Sequence, residues 1–112
     1  MPRSAREYLQ HILDEARFLR ASSSGVTKAA FLQDETLKRA YVRSIEIIGE
    51  AVKRVPDSVR QQYPQIEWRN RGHEGRLIHD YFGVDYEIVW DVVSRKVPAL
   101  EQEVTNILAQ IE

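Results

Sequence analysis

The segment Asp34-Glu35-Thr36-Leu37-Lys38-Arg39-Ala40-Tyr41-Val42-Arg43-Ser44-Ile45-Glu46-Ile47-Ile48-Gly49-Glu50-Ala51-Val52-Lys53-Arg54-Val55-Pro56 decides the fold. Leu37, Ala40, Tyr41, Ser44, Ile47, Ile48, Ala51 and Val52 recur at the spacing of one helix face, not at the alternation of a strand. Val42 and Ile45 widen the apolar arc, so this long helix is expected to touch more than one neighbour. Asp34 offers an acceptor to the unpaired amides of the first turn. Pro56, which has no amide hydrogen, stops the run. Gly49 is unfavourable inside a helix unless another backbone packs close, so it marks tight packing or an interface, with packing the expectation.

The same period extends on both sides. Ser4-Ala5-Arg6-Glu7 reads as a capping box, and behind it Leu9, Ile12, Leu13, Ala16 and Leu19 form one stripe. His11 falls between those apolar positions and is expected at the surface or an edge. Ala21-Ser22-Ser23-Ser24-Gly25 ends the first helix with residues that compete for backbone hydrogen bonds. Thr27 caps a short turn through Phe31. Asp57 or Ser58 opens a brief helix to Tyr63, closed by Pro64. The stretch from Trp68 to His79 carries Gly72 and Gly75, each costing about 1 kcal/mol against Ala inside a helix, so its helical signal is weak. Tyr81-Phe82-Gly83-Val84-Asp85 reads as a turn whose Asp85 caps a helix with Ile88, Val89, Val92 and Val93 on its apolar face. Pro98 is expected to break or kink the path before a last helix bearing Leu100, Val104, Ile107, Leu108 and Ile111. Trp68 and Trp90 are expected in the core. No strand pattern and no repeat is evident. The expectation is one all-α domain over residues 1–112, an up-and-down bundle of four to five helices.

Composition narrows the function classes. Among 112 residues, 43% are hydrophobic and 29% charged, as in an ordinary globular protein, and the formal net charge is -1. Bulk charge therefore gives no pull toward nucleic acid, and such a role needs a local basic patch. The absence of cysteine removes disulfides and thiolate metal sites and fits a reducing cytoplasm. Met1 to Arg6 leads straight into an amphipathic segment, so no secretory leader is expected. No stretch approaches the roughly 20 apolar residues of a membrane span.

Reactive side chains concentrate in Arg69-Asn70-Arg71-Gly72-His73-Glu74-Gly75-Arg76-Leu77-Ile78-His79-Asp80-Tyr81, where three arginines, two histidines, two acids and a tyrosine fall within thirteen positions. Arginine can clamp a phosphate through two parallel bonds, and histidine moves protons near neutral pH. Together they suit cleavage of an RNA backbone, one group handling the proton and another the charge on the phosphorane. The plain alternative is a solvated charged helix. His73, Glu74 and His79 match no helical ligand pair at i, i+4, so no metal is expected. No Ser, Thr or Cys stands near these histidines to act as a nucleophile.

Leu77-Ile78-His79-Asp80-Tyr81-Phe82-Gly83-Val84-Asp85, followed by Glu87-Ile88-Val89-Trp90, resembles the HepT-like family of HEPN domains. Ile47-Ile48-Gly49-Glu50-Ala51 and Tyr63-Pro64-Gln65-Ile66-Glu67-Trp68 are similar to the same family in the same order. The resemblance implies a helical bundle that forms a homodimer and brings two active segments together. It implies a metal-independent ribonuclease toxin that needs no cofactor and cuts RNA with an Arg and a His separated by four to six intervening residues. Its partner would be a cognate minimal nucleotidyltransferase antitoxin, which places AMP on the Tyr two positions after that His. By position the His is His79, the polar residue between is Asp80, and the AMP acceptor is Tyr81. A further implication is a purely non-catalytic version, a helical binding partner of the nucleotidyltransferase.

The Arg departs from the family pattern. Counted back from His79, the allowed places hold Glu74, His73 and Gly72. Arg76 is too close and Arg71 one residue too far, although Gly72 and Gly75 could let the backbone bring either guanidinium toward His79. These two are therefore the candidate substitutes. Relatives often read Trp-Arg-x-Ile-Ala-Gly-Met-Arg-Asp-Arg-Leu-Ile-His here. The codons ATC GCG GGC ATG AGG, with an A in front and read one frame over, become AAT CGC GGG CAT GAG G, which spells Asn70 to Gly75. A local, compensated frameshift is expected. Translation of the gene's own nucleotides in the third frame checks this, and a string unlike Ile-Ala-Gly-Met-Arg there would reject it.

Overall fold

Apolar stripes become the contact faces of a helical bundle. The computed structural model describes residues 4–80 and 83–111, and the backbone alone at residues 73–77 and 80. Helix α1 (Ala5–Ser23) begins at the capping box: the Ser4 hydroxyl accepts from the Glu7 amide at 3.3 Å, and the Glu7 carboxylate accepts from the Ser4 amide at 3.5 Å. It buries Leu9, Ile12, Leu13, Ala16 and Leu19. Short α2 (Lys28–Gln33), capped by Thr27, buries only Phe31. Helix α3 (Glu35–Arg54) starts where the Asp34 carboxylate accepts from the Leu37 amide at 3.0 Å. Its last carbonyls are satisfied from α4 (Asp57–Gln62), where Arg60 donates to Val52 at 2.8 Å and Val55 at 3.0 Å. Helix α5 (Trp68–Leu77) follows despite its glycines. Packing against α3 outweighs the intrinsic cost of Gly72, since α3 meets α5 along one side and α1 along another.

A small hairpin replaces the plain turn expected after His79. Strands β1 (His79–Asp80) and β2 (Gly83–Val84) pair antiparallel, His79 opposite Val84 and Asp80 opposite Gly83. The expectation of no strand is corrected here: two-residue strands have no alternation to read. Gly83 sits at φ +123°, a conformation that only glycine adopts readily, at the start of the second strand. Asp85 then caps α6 (Tyr86–Asp91), accepting from the Glu87 and Ile88 amides at 3.0 and 3.2 Å.

Pro98 does not break the chain's last helical run. One widened turn, Val92–Lys96, has π geometry and leads directly into α7 (Val97–Gln110), with Pro98 in its first turn. The Val97 amide reaches back to the Val92 carbonyl, so the missing Pro98 amide falls where the register has already shifted. The two separate helices read from the sequence are thus a continuous run over residues 86–110.

The core is one cluster shared by all the long helices. Polar ties fix their register. Ser44 donates to Glu15 at 2.8 Å, Ser22 and Tyr41 share a bond of 2.9 Å, and Arg20 grips Glu101 at 2.6 and 2.9 Å. Phe31 stacks on Tyr41 at 5.1 Å between centroids and leans on Trp90 at 5.3 Å. Trp68 and Trp90 are half-buried against the core, and the Trp68 indole donates to the Tyr63 carbonyl at 3.0 Å. His11 is exposed, as expected of an edge residue.

Most of the apolar arc of α3 packs within the chain: Tyr41, Ile45, Ile48, Ala51 and Val52 are buried, Leu37, Ala40 and Val42 are half-buried against the core, and Ile47 is half-buried. Among the described residues no helix is long and apolar enough to cross a membrane.

Candidate active site

His79 owes its place to its neighbours. Ile78 is fully buried and anchors the entry to the hairpin. The Asp85 amide donates to the Ile78 carbonyl at 2.6 Å, closing the base of the hairpin onto α6. The backbone of His79 is thus fixed on both sides while its side chain remains 45% exposed. A mount of this kind positions a reactive group without burying it.

The imidazole opens onto a cleft of about 440 Å³ lined by Arg43, Glu46, Gly49, Glu50, Lys53, Gly72 and His79. One wall is the polar face of α3, where Arg43, Glu46, Glu50 and Lys53 follow at helical spacing. The other wall is α5 and the first strand of the hairpin. Gly72 is buried where α5 packs against α3: a methyl group there would stand 3.1 Å from Lys53 Cγ and 3.6 Å from Val52 Cγ1. The absence of a side chain at Gly72 leaves room for the Lys53 stem. Gly49 is buried and lines the same cleft, in keeping with close packing rather than an exposed kink.

His79 Nε2 lies 3.4 Å from Glu46 Oε2. A carboxylate beside an imidazole orients the ring, and a proton shared between Nε2 and Glu46 leaves Nδ1 as the acceptor facing other groups. Carboxylate, imidazole and two flanking cations in an open cleft can hold a phosphodiester and exchange a proton with it.

The residues singled out in the sequence are not all brought together. Arg71 is committed elsewhere: it donates to the Lys96 carbonyl at 3.3 Å, stands 3.3 Å from Glu103 of α7, and its side chain is 13% exposed. It is not among the residues lining the His79 cleft. The side chains of His73, Glu74, Arg76 and Asp80, and the whole of Tyr81, lie outside the described residues. Arg43, Glu46 and Lys53 had not been singled out. Their only signal in the sequence was a shared helix face, the one opposite the apolar arc.

Residues 12–107 match the family described as Ribonuclease HepT-like. The chain is 43% identical over 107 residues to a "Putative RNase" of Caldanaerobacter subterraneus subsp. tengcongensis, covering 95% of this chain and 96% of that one. It is 39% identical over 114 residues to a "Putative RNase" of Methanocaldococcus jannaschii, covering 100% and 94% respectively. A "Probable ribonuclease HepT" of Thermococcus cleftensis is 34% identical over 102 residues, 90% of this chain and 93% of that one. No solved structure matches. The chain belongs to the HepT-like ribonuclease family.

Proposed function

We propose that this chain is the toxin half of a toxin–antitoxin pair, a metal-independent endoribonuclease in which Glu74 in the motif position leaves cleavage weak. The observation that carries the reading is His79, held on a fixed hairpin at the mouth of a cleft with Glu46 at 3.4 Å. In the reaction a ribose hydroxyl loses its proton and attacks the adjacent phosphorus, and the bond from phosphorus to the leaving oxygen breaks as that oxygen gains a proton. His79 serves one of these proton transfers, and Glu46 keeps the ring oriented. The active species is a homodimer, on the strength of the family resemblance alone. RNA cleavage by the purified chain, with His79→Ala as control, tests the enzyme reading. A light-scattering mass of a dimer at micromolar concentration is the expected result for the assembly, and a monomer mass rejects it.

The antitoxin is a minimal nucleotidyltransferase: the Tyr81 hydroxyl loses its proton and attacks the α-phosphorus of ATP, the α–β anhydride bond breaks, and pyrophosphate leaves as AMP joins the tyrosine. AMP there adds negative charge two residues from His79 and keeps a substrate phosphate out. Incubation with the nucleotidyltransferase and ATP should raise the mass by AMP units, and Tyr81→Phe should abolish the increase. A shift that survives in Tyr81→Phe moves the acceptor elsewhere, Tyr86 being the next candidate.

One observation favours a second reading. With Glu74 in place of the motif Arg, the same bundle can persist as a non-catalytic partner that only binds the nucleotidyltransferase. RNA cleavage separates the two.

A further inference from the structure

The cleft that receives His79 is bounded at its two ends by cations that no motif assigns. Arg43 and Lys53 both line it, both are exposed, and among the described residues neither has an ion-pair partner. Between them on the same face stand Glu46 and Glu50. Glu46 is occupied by His79, which offsets its charge toward a passing phosphate whenever the imidazole is protonated. Ten residues of helix separate the cations, a rise of about 15 Å, too far for both to grip one phosphate. Lys53 is steered by its surroundings, because its stem packs over Gly72.

We propose that Arg43 and Lys53 are the binding residues of this cleft, holding two different backbone phosphates of one single-stranded RNA segment on either side of His79. The inference rests on the ribonuclease reading for the identity of the strand. It adds where the backbone lies: along the polar face of α3, from Arg43 to Lys53, with the reacting ribose over His79 and Glu46 between the two grips. It gives a chain that lacks the motif Arg and has a net charge of -1 a route to holding RNA. With Glu46 and Glu50 on the same face the wall is formally neutral, so the attraction is local to each cation at the two ends rather than a net charge of the cleft. Unpaired RNA suits the site, since an open cleft one helix face wide admits one backbone.

The test is fluorescence anisotropy of a labelled single-stranded RNA oligonucleotide over a range of salt concentrations, using the full chain. Each of Arg43→Gln and Lys53→Gln should make the slope of log affinity against log salt shallower by about 0.7, and the double variant by about 1.4. Arg43→Lys and Lys53→Arg should keep the slope, which a merely structural role would not explain. Arg17→Gln, on the exposed face of α1, should also leave it unchanged. A dinucleotide, too short to reach both cations, should bind far more weakly than the oligonucleotide. Unchanged slopes in the two glutamine variants, or equal binding of the dinucleotide, overturn the proposal. RNA cleavage is measured alongside in a chain carrying the full family string in place of Asn70 to Gly75. Cleavage with unchanged slopes rejects the two grips and leaves the enzyme reading standing. Shallower slopes without cleavage keep the grips and reject the enzyme. No binding at all rejects both.

Discussion

Arginine at position 74 is expected to raise RNA cleavage about a hundred- to a thousandfold, the usual worth of one well-placed electrostatic stabiliser of a transition state. Position 74 is five residues ahead of His79, with four residues between them as in the commonest family spacing, and it holds a glutamate. The substitution does two things at once. It removes a negative charge that repels the scissile phosphate, and it adds a cation able to neutralise the phosphorane. Of the two nearby arginines, Arg71 is engaged with Glu103 and the Lys96 carbonyl, so recruiting it would cost those contacts. Arg76 would have to rely on flexible positioning, which forfeits preorganisation. Two versions are informative: Glu74→Arg alone, and the longer family string in place of Asn70 to Gly75. If the single change suffices, the backbone already places residue 74 correctly. If only the full string works, the shortened window misplaces it. His79→Ala in either should return the rate to background. Equal rates for the unchanged and restored chains would falsify the Arg argument and make Arg76, then Arg71, the next residue to remove. Growth arrest on expression should follow the same order as cleavage.

The parts of this fold that could be read from the sequence are those where a period runs long enough to be seen. The stripes on α1 and α3, with caps at Ser4, Asp34 and Asp85, all appear in the structure where the spacing put them. The hairpin could not be read, because strands of two residues carry no alternation and its pairing depends on one glycine conformation. Pro98 misled because its cost depends on the register of the preceding turn, and a single widened turn removes the clash. At the site, His79 was legible through its motif. Arg43, Glu46 and Lys53 were not, since charged residues on the outer face of a helix look solvated until a distant segment packs over them. That segment is α5, and Gly72 shows how it fits. Counted back from His79, Gly72 occupies the place of the glycine in the family string, the point where a methyl group would meet Lys53 Cγ at 3.1 Å. A glycine at this position keeps the contact of α5 with α3 whatever residues stand beside it. The fold can therefore outlast the loss of the motif Arg.

Phe31→Ala is expected to destabilise the chain by about 3–5 kcal/mol, which would take most of the stability of a small domain. Phe31 is fully buried and is the only fully buried residue of α2, so its ring is the main anchor of that helix, with half-buried Leu32 packing beside the core. It stacks on Tyr41 at 5.1 Å and contacts Trp90 at 5.3 Å, joining α2, α3 and α6. Truncation leaves a cavity beside two large rings, and Tyr41, itself fully buried and bonded to Ser22, cannot turn to fill it without breaking that bond. Trp90 stands on the helix that follows the His79 hairpin, so the same change loosens the support of the site as well as the core. Phe18 is the internal comparison. It is 44% exposed and touches Tyr41 only edge-on at 6.4 Å, so Phe18→Ala should cost about 1 kcal/mol or less. Urea denaturation followed by circular dichroism measures both. The midpoint of Phe31→Ala should fall sharply at unchanged slope, and that of Phe18→Ala only slightly. Similar midpoints for the two variants would mean that α2 is dispensable and that the ring stack is not what holds this end of the bundle.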